Sequence, residues 1–142
     1  MDGTHGSEAE GFENTPLTPT RLGAAAAVFD IVAFTFIGYL VLEDPALGAV
    51  SGLLIGLGVY QFLPLMMQPD GLESNEDSAS GNPVRGYHRL AGGYGLSVAG
   101  LVFFAVGFAE FELLVGVPAA LVAGAVVYIV AGFVFPNAAV GE

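Results

Sequence analysis

The chain has 142 residues, of which 54% are hydrophobic and only 12% charged, and its mean hydropathy is +0.71. A soluble domain of this size is rarely so apolar, and the lack of cysteine excludes disulfides, thiolate metal sites and cysteine nucleophiles. The net charge is −11 and the only bases are Arg21, Arg85 and Arg89, so nucleic-acid binding is not expected because few side chains could neutralise phosphates. Composition therefore predicts an integral membrane protein.

Four segments are long enough to cross a hydrocarbon core of about 30 Å as helices, which takes about 20 residues. They are residues 22–42, 46–67, 90–109 and 113–135. Each is apolar on every side, whereas the strands of a transmembrane barrel alternate between polar and apolar residues. The predicted fold is all-α, a four-transmembrane-helix bundle built from two hairpins, residues 21–67 and 89–135.

The polar segments of the chain carry every acid except Asp30 and those of the two short turns. Residues 1–20 form an acidic N-terminal tail without the basic start of a signal peptide, so the first span is expected to be retained. The loop 68–88 is acidic and rich in Ser, Asn and Gly, and both segments are predicted to be largely disordered. Residues 136–142 are predicted to be a C-terminal tail.

Together with the absence of lysine, these acidic segments resemble by composition those of small polytopic membrane proteins of halophilic archaea. Such surfaces stay hydrated and screened at molar salt. The resemblance covers the polar segments and points to no specific family. An acidic protein from an ordinary prokaryote is the alternative.

The positions of the bases predict the orientation of the chain. Arg21 precedes the first span, and Arg85, His88 and Arg89 precede the third, while the two short turns on the other side contain only acids. The positive-inside rule then places both termini and the central loop in the cytoplasm of a multi-pass plasma-membrane protein. Arg21, Arg85, His88 and Arg89 are expected to contact lipid head groups at this interface.

The two halves of the chain look like tandem repeats offset by 68 residues. At four-residue steps the second span has Gly48, Gly52 and Gly56, and the fourth has Gly116, Ala120 and Gly124 at equivalent positions. Small residues at this spacing let another helix backbone approach closely, which holds helices together in lipid. We expect these six residues to pack helices within the bundle, with a dimer interface as the alternative.

Asp30 is the one charged residue inside a predicted span. An aspartate near the bilayer centre costs about 2.5–3.5 kcal/mol on insertion scales, so it should face protein or water and have a partner. Counting the helical rise from each cytoplasmic end puts Asp30 about 12 Å deep, Tyr60, Ser97 and Tyr128 about 10 Å deep, and Gln61 about 9 Å deep. The sequence therefore predicts one polar layer formed by these five residues.

This layer has two interpretations. In the first, Asp30 is a hydrogen-bonded group that only stabilises the bundle. In the second, it binds and releases a proton or cation during transport, with Tyr60, Gln61 and Tyr128 as its hydrogen-bond shell.

No cofactor, metal site or catalytic residue is predicted. A bis-histidine haem site is not expected, because His88 is accompanied only by His5 in the tail, and Ser51 and Ser97 have no histidine within reach. We therefore expect a non-enzymatic accessory or structural subunit of a membrane complex, whose partners are the lipid bilayer and either another protein or further copies of the chain. A small proton- or cation-coupled transporter or channel that uses Asp30 is the alternative.

Overall fold

A computed structural model describes the backbone of residues 18–67 and 83–140 and the side chains of residues 18–67 and 86–134. It contains four helices: α1, Pro19–Ile37, which continues into a π-helical turn over Gly38–Leu42; α2, Pro45–Met67; α3, Pro83–Phe108; and α4, Leu113–Val140. All four are long and apolar enough to cross a membrane. The predicted all-α fold with four spanning helices is thus confirmed.

Local sequence explains where the first two helices begin. Thr18 is the N-cap of α1, where its hydroxyl accepts a hydrogen bond from the Arg21 N–H at 3.3 Å, and Pro19 occupies the first turn. The Asp44 carboxylate accepts hydrogen bonds from the N–H groups of Ala46 and Leu47, both at 3.0 Å, and so caps α2. These caps satisfy backbone donors that have no partner within their helix.

The second hairpin is longer than its apolar stretch. Helix α3 begins at Pro83, seven residues before the predicted start at residue 90, and α4 continues to Val140, five residues beyond the predicted end at residue 135. Hydropathy marks the part of a helix that lipid can surround, and polar turns can extend the helix beyond it. Arg85, His88 and Arg89 therefore lie on α3 itself. The N-terminal tail through residue 17 and the loop residues 68–82 lie outside the described part of the chain.

The four helices form an open row rather than a closed ring. Helix α1 packs on α2, α2 on α3, and α3 on α4, while no Cα atom in the described part of α1 lies within 8 Å of one in α4. The two helices in the middle of the row are also the more buried ones. In α2 and α3, 33% and 39% of the span is buried, against 6% and 11% in α1 and α4. The row thus has two central helices and two edge helices.

Helices α1 and α2, which we call hairpin 1, meet through the glycines of α2. A Cβ atom at Gly52 would lie 2.8 Å from the Asp30 carbonyl oxygen, and one at Gly56 would lie 2.6 Å from that of Ala27. A Cβ atom at Gly48 would collide with the carbonyl oxygen of Phe34. The backbones are therefore too close for any side chain at these positions, which is the packing mode that small residues permit in lipid.

Helices α3 and α4, which we call hairpin 2, make similar contacts. A Cβ atom at Gly124 would lie 2.8 Å from the carbonyl oxygen of Gly95, and one at Gly116 would lie 2.9 Å from Cγ1 of Val106. Ala120, between the two glycines, is only 4% exposed. The contact of Gly124 with Gly95 is equivalent to that of Gly56 with Ala27 when both residues are shifted by 68 positions. Tandem duplication stays a prediction, and this equivalence supports it.

A third close contact joins the two hairpins between α2 and α3. Gly58 faces the carbonyl oxygen of Gly93 and the hydroxyl of Ser97, and Gly100 lies against the Ser51 carbonyl oxygen, 2.8 Å from the position of an added Cβ. The rings of Phe62 and Tyr94 stack at 4.9 Å between centroids in the same interface. Small residues thus bring all three pairs of neighbouring helices together.

Candidate functional site

Asp30 lies on α1 beside its contact with α2. Its carbonyl oxygen packs on Gly52, and its side chain is half-buried. Phe34, one turn further along, meets the ring of Phe104 of α3 edge-on, with 5.3 Å between centroids. Because residues four apart share a helix face, Asp30 lies on the side of α1 that is turned toward α3.

The carboxylate of Asp30 forms neither a hydrogen bond nor an ion pair with any residue in the described part of the chain. The nearby hydroxyl of Thr35 is satisfied within its own helix, where it donates to the Ile31 carbonyl oxygen at 2.6 Å. A charged group in a membrane span normally has a polar partner. Among the described residues, the Asp30 carboxylate is therefore the group that most requires either protonation or a hydrogen-bond donor from water or another molecule.

The structure does not gather the other predicted members of the polar layer around Asp30. The ring of Tyr60 lies against Gly23, with Cδ2 3.7 Å from the position of an added Cβ, and Gly23 is about 10 Å along α1 from Asp30. The amide oxygen of Gln61 lies at the α2–α3 contact, 3.4 Å from an added Cβ at Gly92. The described contacts of these two residues do not involve Asp30.

Ser97 and Tyr128 also have other neighbours. The Ser97 hydroxyl is buried against Gly58, and neither it nor the hydroxyl of the fully buried Ser51 has a hydrogen-bond partner among the described residues. The Tyr128 hydroxyl lies 2.9 Å from Nδ1 of His88 on α3. The five predicted site residues are thus distributed over all three helix interfaces.

The pair of His88 and Tyr128 was not predicted. The two rings stack with centroids 6.0 Å apart at an angle of 24°, and they border a groove of about 310 Å³ that continues along α4 past Ile129, Gly132 and Phe133. Forty positions separate the two residues, and only the packing of α3 on α4 brings them together. Both residues are amphipathic and lie near the ends of adjacent spans, which is typical of side chains at a membrane interface. This pattern does not predict that the two residues pair with each other.

The chemistry available at these positions is that of proton exchange and hydrogen bonding. Among the described residues no three His, Cys, Asp or Glu side chains cluster closely enough to hold a metal ion. Asp30 could bind a proton or cation, and the imidazole of His88 could donate to an anion.

The chain has no significant match to a protein-family model, to a curated protein sequence or to a solved structure.

Proposed function

We propose that this protein is a non-enzymatic accessory or structural subunit of a complex in the plasma membrane of a halophilic cell. The observation that supports this function is the open row of helices, in which α1 packs along its length on α2 alone and touches α3 only near its end, through Phe34 and the π-helical turn. A partner helix could add to this edge without any rearrangement of the bundle. The acidic, lysine-free segments support the assignment to a high-salt environment.

The outer face of α1 is the surface we assign to the partner. Phe29, Val32 and Phe36 follow one another on this face at helical spacing, and their side chains are 71%, 62% and 60% exposed. Bulky apolar side chains can pack against either lipid or another helix. Two aromatic rings offer a partner helix more contact area than aliphatic chains do.

The arrangement of the arginines supports an orientation with cytoplasmic termini. Helix α1 runs antiparallel to α2, since Ala27 meets Gly56 while the later Phe34 meets the earlier Gly48. Helix α3 also runs antiparallel to α2, since Gly93 meets Gly58 while the later Gly100 meets the earlier Ser51. Arg21 and Arg89, near the beginnings of α1 and α3, therefore lie at the same end of the bundle. By the positive-inside rule this end is the cytoplasmic one.

Photo-crosslinking in the native membrane tests the proposed partner surface. With benzoylphenylalanine in place of Phe29, we expect an adduct with one distinct polypeptide, because this side chain points away from the bundle. The same substitution at Phe34 is the matched control, since that ring faces Phe104 and should react within the chain. Adducts from Phe29 with lipid alone, or only with a second copy of the chain, would contradict a heteromeric subunit.

The second candidate function is proton- or cation-coupled transport by Asp30. The observation that favours it is the carboxylate without a hydrogen-bond or ion-pair partner among the described residues. The contact of Phe34 with Phe104 bridges α1 and α3 one turn further from the arginine-bearing end. Transport by Asp30 would require a water path from the arginine side, since this aromatic pair lies on the other side of it.

A further inference from the structure

From the groove between α3 and α4 we infer that this protein binds an anionic phospholipid, with the phosphate at His88 and an acyl chain along Ile129, Gly132 and Phe133. The inference is independent of the proposed function. It concerns the edge of the row opposite to α1, and it adds a defined lipid site to a helix surface that would otherwise contact lipid nonspecifically.

The polar end of the site is the bonded pair of His88 and Tyr128. In the tautomer with its proton on Nε2, the imidazole accepts at Nδ1 from the Tyr128 hydroxyl, and its Nε2–H remains a donor on the far side of the ring. His88 is exposed, so a phosphate oxygen can reach this donor. The bond to Tyr128 and the stacking of the two rings fix the direction of the donor.

The charge around this end suits an anion. Two of the three arginines of the chain, Arg85 and Arg89, flank His88 on the first two turns of α3, and the chain has no lysine. All three arginines lie near this end of the bundle, and the described parts of the four helices contain no acidic residue there. An anionic head group is therefore favoured here over a zwitterionic one.

The apolar end of the site is a groove with an open floor. An added Cβ at Gly132 would have no atom within 4 Å, whereas the glycines of the helix contacts leave no such space. The side chains of Ile129 and Phe133, on either side of it, are 53% and 69% exposed. The groove volume of about 310 Å³ is at the lower end of the range for ligand sites and suits part of an acyl chain.

The site is tested by native mass spectrometry of the purified full chain with phosphatidylglycerol or phosphatidylcholine carrying the same acyl chains. We expect the wild type to retain phosphatidylglycerol preferentially. Gly132→Leu should reduce its apparent affinity about tenfold, or about 1.4 kcal/mol, by filling the groove. Gly86→Leu is the matched control, because an added Cβ there also has no atom within 4 Å but the residue does not line the groove.

A second variant tests the head-group contact without filling the groove. His88→Phe should abolish the preference for phosphatidylglycerol while leaving weak binding of both lipids, and circular dichroism should show unchanged helix content for all three variants. Equal binding of the two lipids by the wild type would overturn the proposal, as would wild-type binding by Gly132→Leu. Displacement of the lipid by inorganic phosphate at comparable concentration would identify a phosphate site instead and would also overturn it.

Discussion

Substitution of Gly48 by alanine is expected to destabilise hairpin 1 by about 2–3 kcal/mol, although it adds a single methyl group. The added Cβ would collide with the carbonyl oxygen of Phe34, and the Cα atom of Gly38 would lie 3.0 Å away. Both obstacles are backbone, so the helices must separate, and separation weakens the neighbouring contacts of Gly52 and Gly56. Reversible unfolding in mixed micelles, followed by circular dichroism, measures the loss.

Gly132→Ala is the matched control for this prediction. Alanine has a higher helix propensity than glycine, and an added Cβ at Gly132 has open space around it, so we expect a gain of about 0.5–1 kcal/mol. The same chemical change should therefore have opposite signs at the two positions. Equal stability of the two variants would show that close backbone packing does not hold hairpin 1 together.

Substitution of Gly58 by alanine should separate the two hairpins from each other while leaving each hairpin intact. The added Cβ would collide with the hydroxyl of Ser97 and the carbonyl oxygen of Gly93, so α2 and α3 could not keep their distance. We expect a loss of about 1–3 kcal/mol, the usual range for overpacking. The hydroxyls of Ser51 and Ser97 would then be less buried than in the wild type.

Spin-label distances between the edge helices measure this separation directly. The chain has no cysteine, so labels can be placed uniquely at Val28 on α1 and Leu121 on α4, which are 61% and 66% exposed. We expect a single narrow distance in the wild type and in the control Gly86→Ala, and a broader, longer distribution in Gly58→Ala. An unchanged distribution in Gly58→Ala would show that the α2–α3 contact does not fix the relation between the hairpins.

Hydropathy predicted the number and order of the helices because lipid imposes the same length and apolar character on every span. The helix ends were less predictable. Pro83 begins α3 well before its apolar residues, since proline fits the first turn of a helix and the polar turns that follow need no lipid. The glycines at four-residue steps predicted close packing, and the structure places them at the two hairpin interfaces.

The predicted polar layer shows that the depth of a residue along its own helix does not determine which residues of other helices it contacts. Counting depth from the end of each span assumes that all spans end at one plane. In the structure Tyr60 lies beside Gly23 while Asp30 lies beside Gly52, so α1 and α2 are offset along their axes. An offset of this kind depends on how the side chains of two helices fit together, so it cannot be predicted from the sequence of either helix alone.

The side-chain contacts between different helices could likewise not be predicted from the sequence. Similar counted depths predict that Tyr128 belongs to the hydrogen-bond shell of Asp30, yet in the structure its hydroxyl bonds to His88. Gly58 and Gly93 do not belong to the four-residue pattern, and their role became visible only when α2 and α3 were placed together. The direction of a polar side chain is set by helix rotation, and a uniformly apolar span contains little information about rotation.

Proton flux into proteoliposomes under an imposed pH gradient distinguishes the two candidate functions, with wild type, Asp30→Asn and protein-free vesicles compared. If the protein is a structural subunit, wild type and Asp30→Asn should give the same flux as empty vesicles and the same helix content. A flux in the wild type that is abolished in a correctly folded Asp30→Asn variant would contradict our account and identify Asp30 as a transport site.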